Sequence, residues 1–558
     1  YCGQTCSRHS AIYAHPGFIS ISHYTRPGKT DTWYYMAGEL YGNSASAIGA
    51  YYFGDGMYKS TDGGLNWAPV ASTTGGNPQS FTTAFQTGWR VITSPTDTDD
   101  VVFMALYGGI YRSADGGASW TVARGTSNLS AGSYFTDITA TSTGVFYATL
   151  SSDGTHRGIW RSADGLNWTD ITPANFPATY DRIVIGINPD NENEVYFLAA
   201  TPGSGHYNNY INSDDWTSLW KYSYLGGNGA GANGQWEDRS LNLPSTGTEF
   251  DRFAAQGGYD LVVKVQPGTG SVFVGGTSLW RSTDGFSTPN NTAHIAGYKP
   301  GTSLPFFELY PDHHPDLHDC LFLPSDSKVM LTASDGGLHR TEDCTAANVV
   351  WTPLNRGYHT SQFYTTIIDD NRIIGGLQDN GNFYVNSADP KSVWKQTING
   401  DGAYGFFADD NSFAVLSIQQ GKVAKCTIDP DGNVTAFRRI DPIGPKREDY
   451  LFINPLAKDP ADQNILYLPA GHYLYRQNNL GAINLTGVWD SIGQGWTMFP
   501  DSTVGKISAI GVSTSNPPHR VYVGTQSRRI YRIDNAHTGT PSLSLTGNMS
   551  TGSNASVS

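Results

Sequence analysis

Residues 60–67 read STDGGLNW, and the chain repeats this stretch in variant form at 113–120, 162–168 and 282–285. Each copy follows an aromatic and a basic residue. In such a stretch the Asp side chain accepts backbone N–H groups, a Gly adopts positive φ, and the Trp packs at the start of the following strand. The repeated stretch therefore predicts the same tight turn between two antiparallel strands at four places along the chain.

Each turn belongs to a longer repeating unit. Around the second copy, the segments 91–97, 101–106 and 109–113 predict three strands, and 120–122 predicts a fourth. Four strands in about 35–50 residues are typical of one β-propeller blade. The same pattern recurs along the chain and predicts about ten blades, near 33–70, 91–122, 135–172, 183–240, 258–290, 317–354, 363–398, 402–440, 450–492 and 506–534.

The predicted fold class is all-β, a β-propeller of four-stranded antiparallel blades. We expect one large ring, with two smaller propellers as the alternative. The blades are predicted to occupy residues 33–545, and the N-terminal segment 1–32 is a candidate for closing the ring. The tail at 546–558 is rich in Ser, Thr, Asn and Gly and is predicted to be flexible. The segment 201–257 is long for its position and predicts an insertion or a boundary.

Composition supports this fold class and excludes several kinds of partner. Of 558 residues, 64 are Gly, 13% are aromatic and 15% are charged, a balance typical of short strands joined by tight turns. The formal net charge of −14 disfavours nucleic acid and anionic membrane surfaces, because both require a basic binding surface. No apolar run approaches the ~18 residues of a membrane span. Neither a P-loop nor a Rossmann fingerprint is found, so we expect no nucleotide cofactor.

The start of the chain and its cysteines suggest an exported protein. The sequence begins at Tyr1 without a recognisable leader and is poor in Lys, so we interpret it as a processed protein that is secreted or held at the cell surface. Its five Cys lie at positions 2, 6, 320, 344 and 426. This odd number leaves at least one thiol unpaired or paired between chains, and Cys2 and Cys6 are close enough to bridge locally.

Candidate binding residues are concentrated in loops that we expect on one face. In a four-stranded meander, the second-to-third and the fourth-to-first connections share a face, opposite to the repeated turns. Three consecutive blades place polar residues in these connections: His314, Asp316, His318, Asp335, Asp379 and Asp401. Several carboxylates in one place require a cation or shared protons. We therefore expect the six residues to cluster, with Asp379 and Asp401 as candidate Ca²⁺ ligands and no other cofactor. The alternative is that they are unrelated turn residues.

The repeated turn also carries a family resemblance. It is similar to the Asp-box, and the chain resembles the Asp-box (BNR-repeat) β-propeller superfamily. That resemblance implies a structural role for the Asp of each turn: Asp62, Asp115, Asp164 and Asp284. Residues 312–402 are similar to a family of exported bacterial proteins with sortilin-like, glycosidase-like propellers. The stretches that carry this second resemblance are 314–318, 334–340, 376–381 and 400–402.

Two functions are consistent with these features. The first is an extracellular or cell-surface binding module for a glycan or a protein, whose aromatic-rich face holds the ligand by stacking and hydrogen bonds. The alternative is an inverting glycoside hydrolase similar to the xyloglucanases, with one carboxylate as acid and another as base. Resemblance to the catalytic stretches of that family implies Asp335 as one member of the pair and, through a poorer match at 54–58, Asp55 as the other. We favour binding, because only one of the two stretches matches well.

Overall fold

The structure is a computed structural model that describes residues 18–44, 47–77, 80–97, 99–210, 213–245, 252–356 and 361–548. The chain forms two compact units. The first comprises Tyr1–Gly42, Gly49–Ser303 and Glu308–Thr360, and the second comprises Asn43–Ile48, Leu304–Phe307 and Ser361–Ser558. Over the described ranges, the chain folds as ten antiparallel sheets of four or five strands, which agrees with the number of blades predicted from the repeats.

Six of these sheets belong to the first unit, and neighbouring strands in each are antiparallel. Sheet 1 contains β1 (Phe18–His23) and β2 (Trp33–Ala37), then β5 (Met57–Ser60) and β6 (Ala68–Pro69). Between β2 and β5 in sequence, β3 (Glu39–Ser44) and β4 (Ala47–Tyr52) form a separate two-stranded sheet. Sheet 2 contains β7 (Gly88–Thr93), β8 (Val102–Leu106), β9 (Gly109–Ser113) and β10 (Thr121–Gly125). Sheet 3 contains β11 (Thr136–Ala140), β12 (Phe146–Leu150), β13 (Gly158–Ser162) and β14 (Trp168–Asp170).

The next three sheets complete the first unit. Sheet 4 contains β15 (Ile183–Ile187), β16 (Glu194–Ala200), β17 (His206–Tyr210), β18 (Ser213–Tyr224) and β19 (Gly234–Asp238). Sheet 5 contains β20 (Val262–Val265), β21 (Val272–Gly275), β22 (Leu279–Ser282) and β23 (Thr292–Ala296). Sheet 6 contains β24 (Leu317–Leu323), β25 (Asp326–Ser334), β26 (Gly337–Thr341) and β27 (Thr352–Pro353).

Four sheets belong to the second unit. Sheet 7 contains β28 (Phe363–Asp369), β29 (Arg372–Leu377), β30 (Gly381–Asn386) and β31 (Lys395–Ile398). Sheet 8 contains β32 (Gly402–Phe407), β33 (Ala414–Ile418), β34 (Lys422–Ile428) and β35 (Val434–Arg439). Sheet 9 contains β36 (Ala457–Asp459), β37 (Asp462–Ala470), β38 (Tyr473–Gln477) and β39 (Trp496–Met498). Sheet 10 contains β40 (Ile507–Val512), β41 (Val521–Thr525), β42 (Arg529–Ile533) and β43 (Ser544–Asn548).

Short 3-10 helices lie in the connections between strands. Their bounds are Ala71–Thr73, Ala84–Gln86, Gly231–Asn233, Ser240–Asn242, Gln256–Gly258, Arg447–Asp449 and Leu480–Ala482. Among the residues that the structure describes, no helix is long and apolar enough to cross a membrane.

The four repeated stretches each connect the third strand of a sheet to the fourth, as predicted. In the first copy, the Asp62 carboxylate accepts the backbone N–H of Asn66 at 2.9 Å and the hydroxyl of Ser60 at 2.7 Å. These hydrogen bonds to the charged form hold the pKa of Asp62 at about 2. Asp115, Asp164 and Asp284 accept the equivalent hydroxyl from Ser113, Ser162 and Ser282. The turn is therefore built from contacts within one short stretch.

The basic residue before the turn connects neighbouring sheets. The Arg281 guanidinium donates to the carbonyl oxygen of Cys344 at 2.6 Å, in the third-to-fourth connection of the next sheet. Arg476 donates in the same way to the carbonyl of Ala536 at 2.6 Å. Buried carbonyl groups require hydrogen-bond donors. The long Arg side chain on the third strand reaches the carbonyl groups of the next sheet and donates to them.

The core lies between consecutive sheets. Phe103 of sheet 2 packs on Phe146 of sheet 3 with ring centroids 4.7 Å apart. Between sheets 4 and 5, buried side chains such as Leu198 and Val274 belong to one apolar cluster. Within each unit, consecutive sheets pack face to face, which explains why their central strands are almost continuously apolar.

Several features differ from the sequence predictions or refine them. The first sheet begins at Phe18 rather than at residue 33, because β1 pairs with β2. The last strand, β43, continues to Asn548 and so occupies the start of the predicted tail, whose remainder lies outside the described residues. The predicted insertion within 201–257 is the additional β17, which pairs with β18.

Three of the five cysteines lie within the described residues. Cys320, Cys344 and Cys426 are buried free thiols. Burial raises the pKa of each of them to about 12. Cys2 and Cys6, where a local bridge was predicted, lie outside the described residues. The single-ring arrangement of the blades stays a prediction.

Candidate functional site

A row of six aromatic rings lies on one face of the first unit. We call Phe53, Phe81, Tyr107, Tyr134, Tyr41 and Tyr259 the aromatic row. Phe53 follows β4 in the connection between the second and third strands of sheet 1, and Tyr107 follows the second strand of sheet 2. Phe81 and Tyr134 lie in fourth-to-first connections, Tyr41 belongs to β3, and Tyr259 precedes sheet 5. These connections share a face because strand direction alternates within each sheet. All six side chains are half-buried.

Consecutive members of the row are in ring contact. The centroid distances are 5.6 Å for Phe53–Phe81, 5.2 Å for Phe81–Tyr107, 6.1 Å for Tyr107–Tyr134, 6.5 Å for Tyr134–Tyr41 and 6.1 Å for Tyr41–Tyr259. Most of these contacts are edge-to-face, the geometry that aromatic pairs prefer. The result is a continuous aromatic surface formed by residues from five separate segments of the chain.

The row ends at a histidine–aspartate pair. The ring of His318 meets Tyr259 edge-on with centroids 5.4 Å apart. The Nε2 atom of His318 is hydrogen-bonded to Oδ1 of Asp335. Burial alone would lower the pKa of His318, but the hydrogen bond to Asp335 and the charges of Asp335 and Asp260 outweigh it and raise that pKa. The side chains stay accessible, with 35% of His318 and 21% of Asp335 exposed.

A tyrosine–glutamate pair lies beside it. Glu39, at the start of β3, lies close enough to Tyr259 for the two groups to influence each other's pKa. Burial raises the pKa of Glu39, and the Tyr259 hydroxyl and the charge of His318 offset this only in part. Burial and the neighbouring carboxylates also raise the pKa of Tyr259 far above its usual value, so the phenol is neutral.

A buried carboxyl group lies behind these two pairs. Asp260 is fully buried, and Gln256 donates from its Nε2 to Asp260 Oδ2 at 2.8 Å and to Asp316 Oδ1 at 3.0 Å. No hydrogen bond to Asp260 Oδ1 is found among the described residues. Burial is the main cause that raises the pKa of Asp260 to about 7. The charge of Asp335 raises this pKa further, and the charge of His318 lowers it. Carboxyl groups with such environments are typical of functional sites.

The backbone around Tyr259 is held by a half-buried cation. The Arg182 guanidinium donates to the carbonyl oxygens of Tyr259 at 2.5 Å and Gly258 at 3.3 Å. Gly258 has φ +94°, a conformation that a side chain would strain. This arrangement fixes the segment that presents the tyrosine.

The structure brings together part of the predicted binding cluster. Carboxylate oxygens of Asp316 and Asp335 lie within 4.8 Å of each other, and His318 joins them through Asp335. His318 belongs to the first strand of sheet 6, whereas the sequence placed it in a loop.

His314 is buried, and its Nδ1 lies 3.1 Å from the carbonyl oxygen of Pro315. It packs against Gly336, where an added Cβ would lie 2.3 Å from the His314 side chain.

The remaining predicted residues have turn contacts. Asp401 and Asp379 belong to the second unit, where the Asp379 N–H donates to Asp401 Oδ1 at 3.0 Å and the Asp401 N–H donates to Gln419 Oε1 at 2.9 Å. Asp55 lies two residues after Phe53 and accepts the backbone N–H of Gly75 at 2.8 Å. The Ca²⁺ role of Asp379 and Asp401 and the catalytic role of Asp55 stay predictions.

Sequence reasoning missed Glu39, Tyr259, Asp260 and most of the aromatic row. These residues lie in different connections, and no local spacing links them. One signal was available, because Phe53 and Tyr107 each lie in a second-to-third connection and each precedes a Gly.

Comparisons with known proteins support the fold. No protein-family profile matches the sequence, and no curated protein matches it. Among solved structures, the chain is similar to the GH74 xyloglucanase from Xanthomonas campestris, with 16% identity over 95% of this chain and 73% of that one and a TM-score of 0.52. It is also similar to an ancestral GH74 enzyme, with 14% identity over 95% of this chain and 77% of that one and a TM-score of 0.52. These likenesses identify the chain as a β-propeller protein.

Proposed function

We propose that this chain is a glycan-binding protein and that the aromatic row is its binding surface. The observation that carries the proposal is the continuity of six half-buried rings on one face. Sugar rings present C–H faces that stack on aromatic surfaces, while polar groups at the end of such a surface orient the hydroxyls. The folds of the GH74 neighbours are compatible with this proposal.

The charges around the end of the row favour a neutral glycan. Glu39, Asp316 and Asp335 lie around Tyr259 and His318, and the half-buried Arg182 donates to backbone carbonyls. A polymer of uronic acids would bring its own carboxylates against these groups, and like charges repel. A neutral polysaccharide makes its hydrogen bonds there without that cost.

Affinity electrophoresis tests the proposal. The chain is run through gels that contain xyloglucan, mixed-linkage β-glucan, mannan, arabinan or polygalacturonate. We expect retardation by at least one neutral polymer and none by polygalacturonate. Phe81→Ala should abolish it, whereas Tyr522→Ala, which removes an exposed tyrosine of the second unit, should not. Equal mobility in all five gels would refute glycan binding.

Hydrolysis by paired Asp55 and Asp335 is the second candidate. The fold that the chain shares with GH74 xyloglucanases is in its favour, whereas Asp335 and Asp55 lie near opposite ends of the row. An inverting pair would place its carboxyl groups about 6.5–9.5 Å apart across the glycan. If this candidate is right, Asp55→Asn and Asp335→Asn will each abolish the release of reducing ends from a bound polymer. Activity in either variant would exclude it.

A further inference from the structure

We propose that a cavity in the second unit is a binding site for a small sugar acid, such as a free hexuronate. The cavity has a volume of about 430 Å³ and lies between the edge strand β35 and the connection that joins β38 to β39. Pockets that hold small molecules measure about 300–1,000 Å³, so one or two sugar rings fit this one. The inference does not rest on glycan binding by the aromatic row.

Backbone hydrogen bonds fix one wall of the cavity. The Arg439 N–H donates to the carbonyl oxygen of Val488 at 3.1 Å, which attaches the connection to the edge of β35. Four residues further on, the Ile492 N–H donates to the carbonyl of Asp441 at 2.9 Å, and the Ile443 N–H donates to the carbonyl of Ile492 at 3.1 Å. A wall that is already ordered costs a ligand little conformational entropy on binding.

Arg438, which lines the cavity, supplies the charge that recognises a carboxylate. Its Nη1 atom donates to the carbonyl oxygens of Val488 at 2.8 Å and Asp490 at 2.9 Å, and these two bonds orient the guanidinium. Within the described part of the chain, no group accepts a hydrogen bond from its Nε or Nη2 atom. Those two atoms form an edge that can bind a carboxylate through two parallel hydrogen bonds. The protein therefore holds this arginine in place and leaves it donors for a ligand.

The charges around the cavity favour an anion. None of the residues that line it is an Asp or a Glu, and the exposed Asp490 lies outside the lining. Asp441 is already paired, since it accepts from Arg439 Nε at 2.7 Å and Nη2 at 2.9 Å. Lys425 supports the lining from behind by donating to the carbonyl oxygen of Ile483 at 2.9 Å. In a chain with a formal net charge of −14, this local excess of positive charge is specific to the cavity.

Polar side chains suited to sugar hydroxyls line the same cavity. They are Asn484, Thr486 and Gln494, and none of these side chains is hydrogen-bonded to another described residue. An amide both donates and accepts, as a sugar hydroxyl does. Ile443 and Ile492 add apolar surface for the C–H groups of a sugar ring. The lining therefore matches a sugar acid better than an inorganic anion, which has neither hydroxyl nor C–H groups.

The size of the cavity selects a free sugar acid over a long acidic polymer. An internal unit of such a polymer carries further sugars on both sides, whereas the cavity holds one or two rings. A polygalacturonate chain offers only its two ends to a site of this kind. Gels that contain polygalacturonate therefore remain the negative control for the aromatic row.

Isothermal titration calorimetry of the full chain tests the site. The protein is produced in a bacterial host that does not attach glycans to Asn484, which begins the acceptor sequence Asn-Leu-Thr. The ligands are D-glucuronate and D-galacturonate, and the comparison compounds are D-glucose, acetate and sulfate. We expect at least one uronate to bind with a Kd below about 1 mM. Each comparison compound should bind at least tenfold more weakly.

Variants place the ligand in the cavity. Arg438→Gln removes the carboxylate-binding edge and should weaken uronate binding at least tenfold. Because Arg438 also holds the wall, Gln494→Ala is the second variant, and it should weaken uronate binding without lowering the melting temperature. Arg356→Gln changes an exposed arginine of the first unit, and Tyr107→Ala changes the aromatic row. Both should bind uronate like the wild type.

Each contrary result overturns a stated part of the inference. Absence of uronate binding by the wild type overturns the site, and equal affinity for D-glucose overturns the role of the carboxylate. Equal affinity for acetate or sulfate identifies a general anion site and overturns sugar recognition. Unchanged binding by both Arg438→Gln and Gln494→Ala places the ligand outside the cavity, and loss of binding in Tyr107→Ala places it on the aromatic row. Retardation in the polysaccharide gels is measured separately and does not depend on these results.

Discussion

The Nε2 atom of His318 is hydrogen-bonded to Oδ1 of Asp335, and the two residues come from a strand and a turn of one sheet. His318 lies in β24, and Asp335 lies in the turn between β25 and β26. This pair is the point at which the sequence-predicted polar cluster meets the aromatic row. Its charge state therefore determines the electrostatics at the end of the proposed binding surface.

The first prediction concerns the titration of His318. Asp335→Asn removes the hydrogen bond to the anionic partner and its charge, so the pKa of His318 should fall. NMR titration of the protein with ¹³Cε1-labelled histidine measures this directly. The groups facing His318 are Asp335, Asp260, Arg182 and the Tyr259 ring. An unchanged pKa in the variant would show that Asp335 does not stabilise the imidazolium.

The second prediction concerns the stability contributed by Asp260. Its pKa is about 7 in the folded protein against 3.8 ordinarily, so between about pH 4 and 7 the folded state holds a proton that the unfolded state has lost. The free energy of unfolding should therefore fall as the pH rises through this window. Asp260→Asn should remove this part of the pH dependence.

Urea unfolding at several pH values measures this effect. The exposed Asp431 gives a matched control, and Asp431→Asn should follow the wild-type curve. Parallel curves for the wild type and Asp260→Asn from pH 4 to 7 would contradict the assignment of the raised pKa to Asp260.

The third prediction concerns the contact between neighbouring sheets. Arg281→Ala leaves the carbonyl groups of Cys344 and Ala346 without their donor. Hydrogen bonds from charged groups contribute about 1.5–3 kcal/mol, so we expect a loss of stability of that order. The exposed Arg356 provides the control, and Arg356→Ala should change the free energy of unfolding by less than about 0.5 kcal/mol. If Arg281→Ala and the wild type have equal free energies of unfolding, the Arg281 guanidinium contacts contribute nothing to stability.

The fourth prediction concerns the packing of Gly336 on His314. A Cβ at position 336 would lie 2.3 Å from the His314 side chain, so Gly336→Ala must displace the histidine or the turn that carries Asp335. Overpacking of this kind costs about 1–3 kcal/mol. Gly511→Ala is the control, since no heavy atom lies within 4 Å of its added Cβ. Thermal melting that does not distinguish the two variants would exclude the clash.

Local contacts explain which parts of the fold could be predicted. The turn at Asp62 is formed by hydrogen bonds among residues 60–66, so its sequence pattern is sufficient to identify it. The blades follow because each turn recurs at a fixed place in a four-stranded unit. The start of the first sheet was placed too late because β1 carries no repeated turn and is recognised only by its pairing with β2.

The candidate site was predictable only where one short stretch carries it. Asp335 was identified from its own loop, and His318 from the polar run before it. Tyr259 and Glu39 are more than 200 residues apart in sequence and meet through tertiary structure. No pattern in the sequence joins them, and the same holds for the rings of the aromatic row.

The aromatic row functions, in our proposal, by binding a glycan. The most direct measurement is isothermal titration calorimetry with the neutral polysaccharide that most strongly retards the protein, for the wild type, Tyr107→Phe and Tyr107→Ala. Tyr107→Phe keeps the ring that joins Phe81 to Tyr134 and should bind like the wild type. Tyr107→Ala interrupts the row and should weaken binding about tenfold, equivalent to about 1.4 kcal/mol. Identical affinities for Tyr107→Ala and the wild type, with both folded, would contradict the claim.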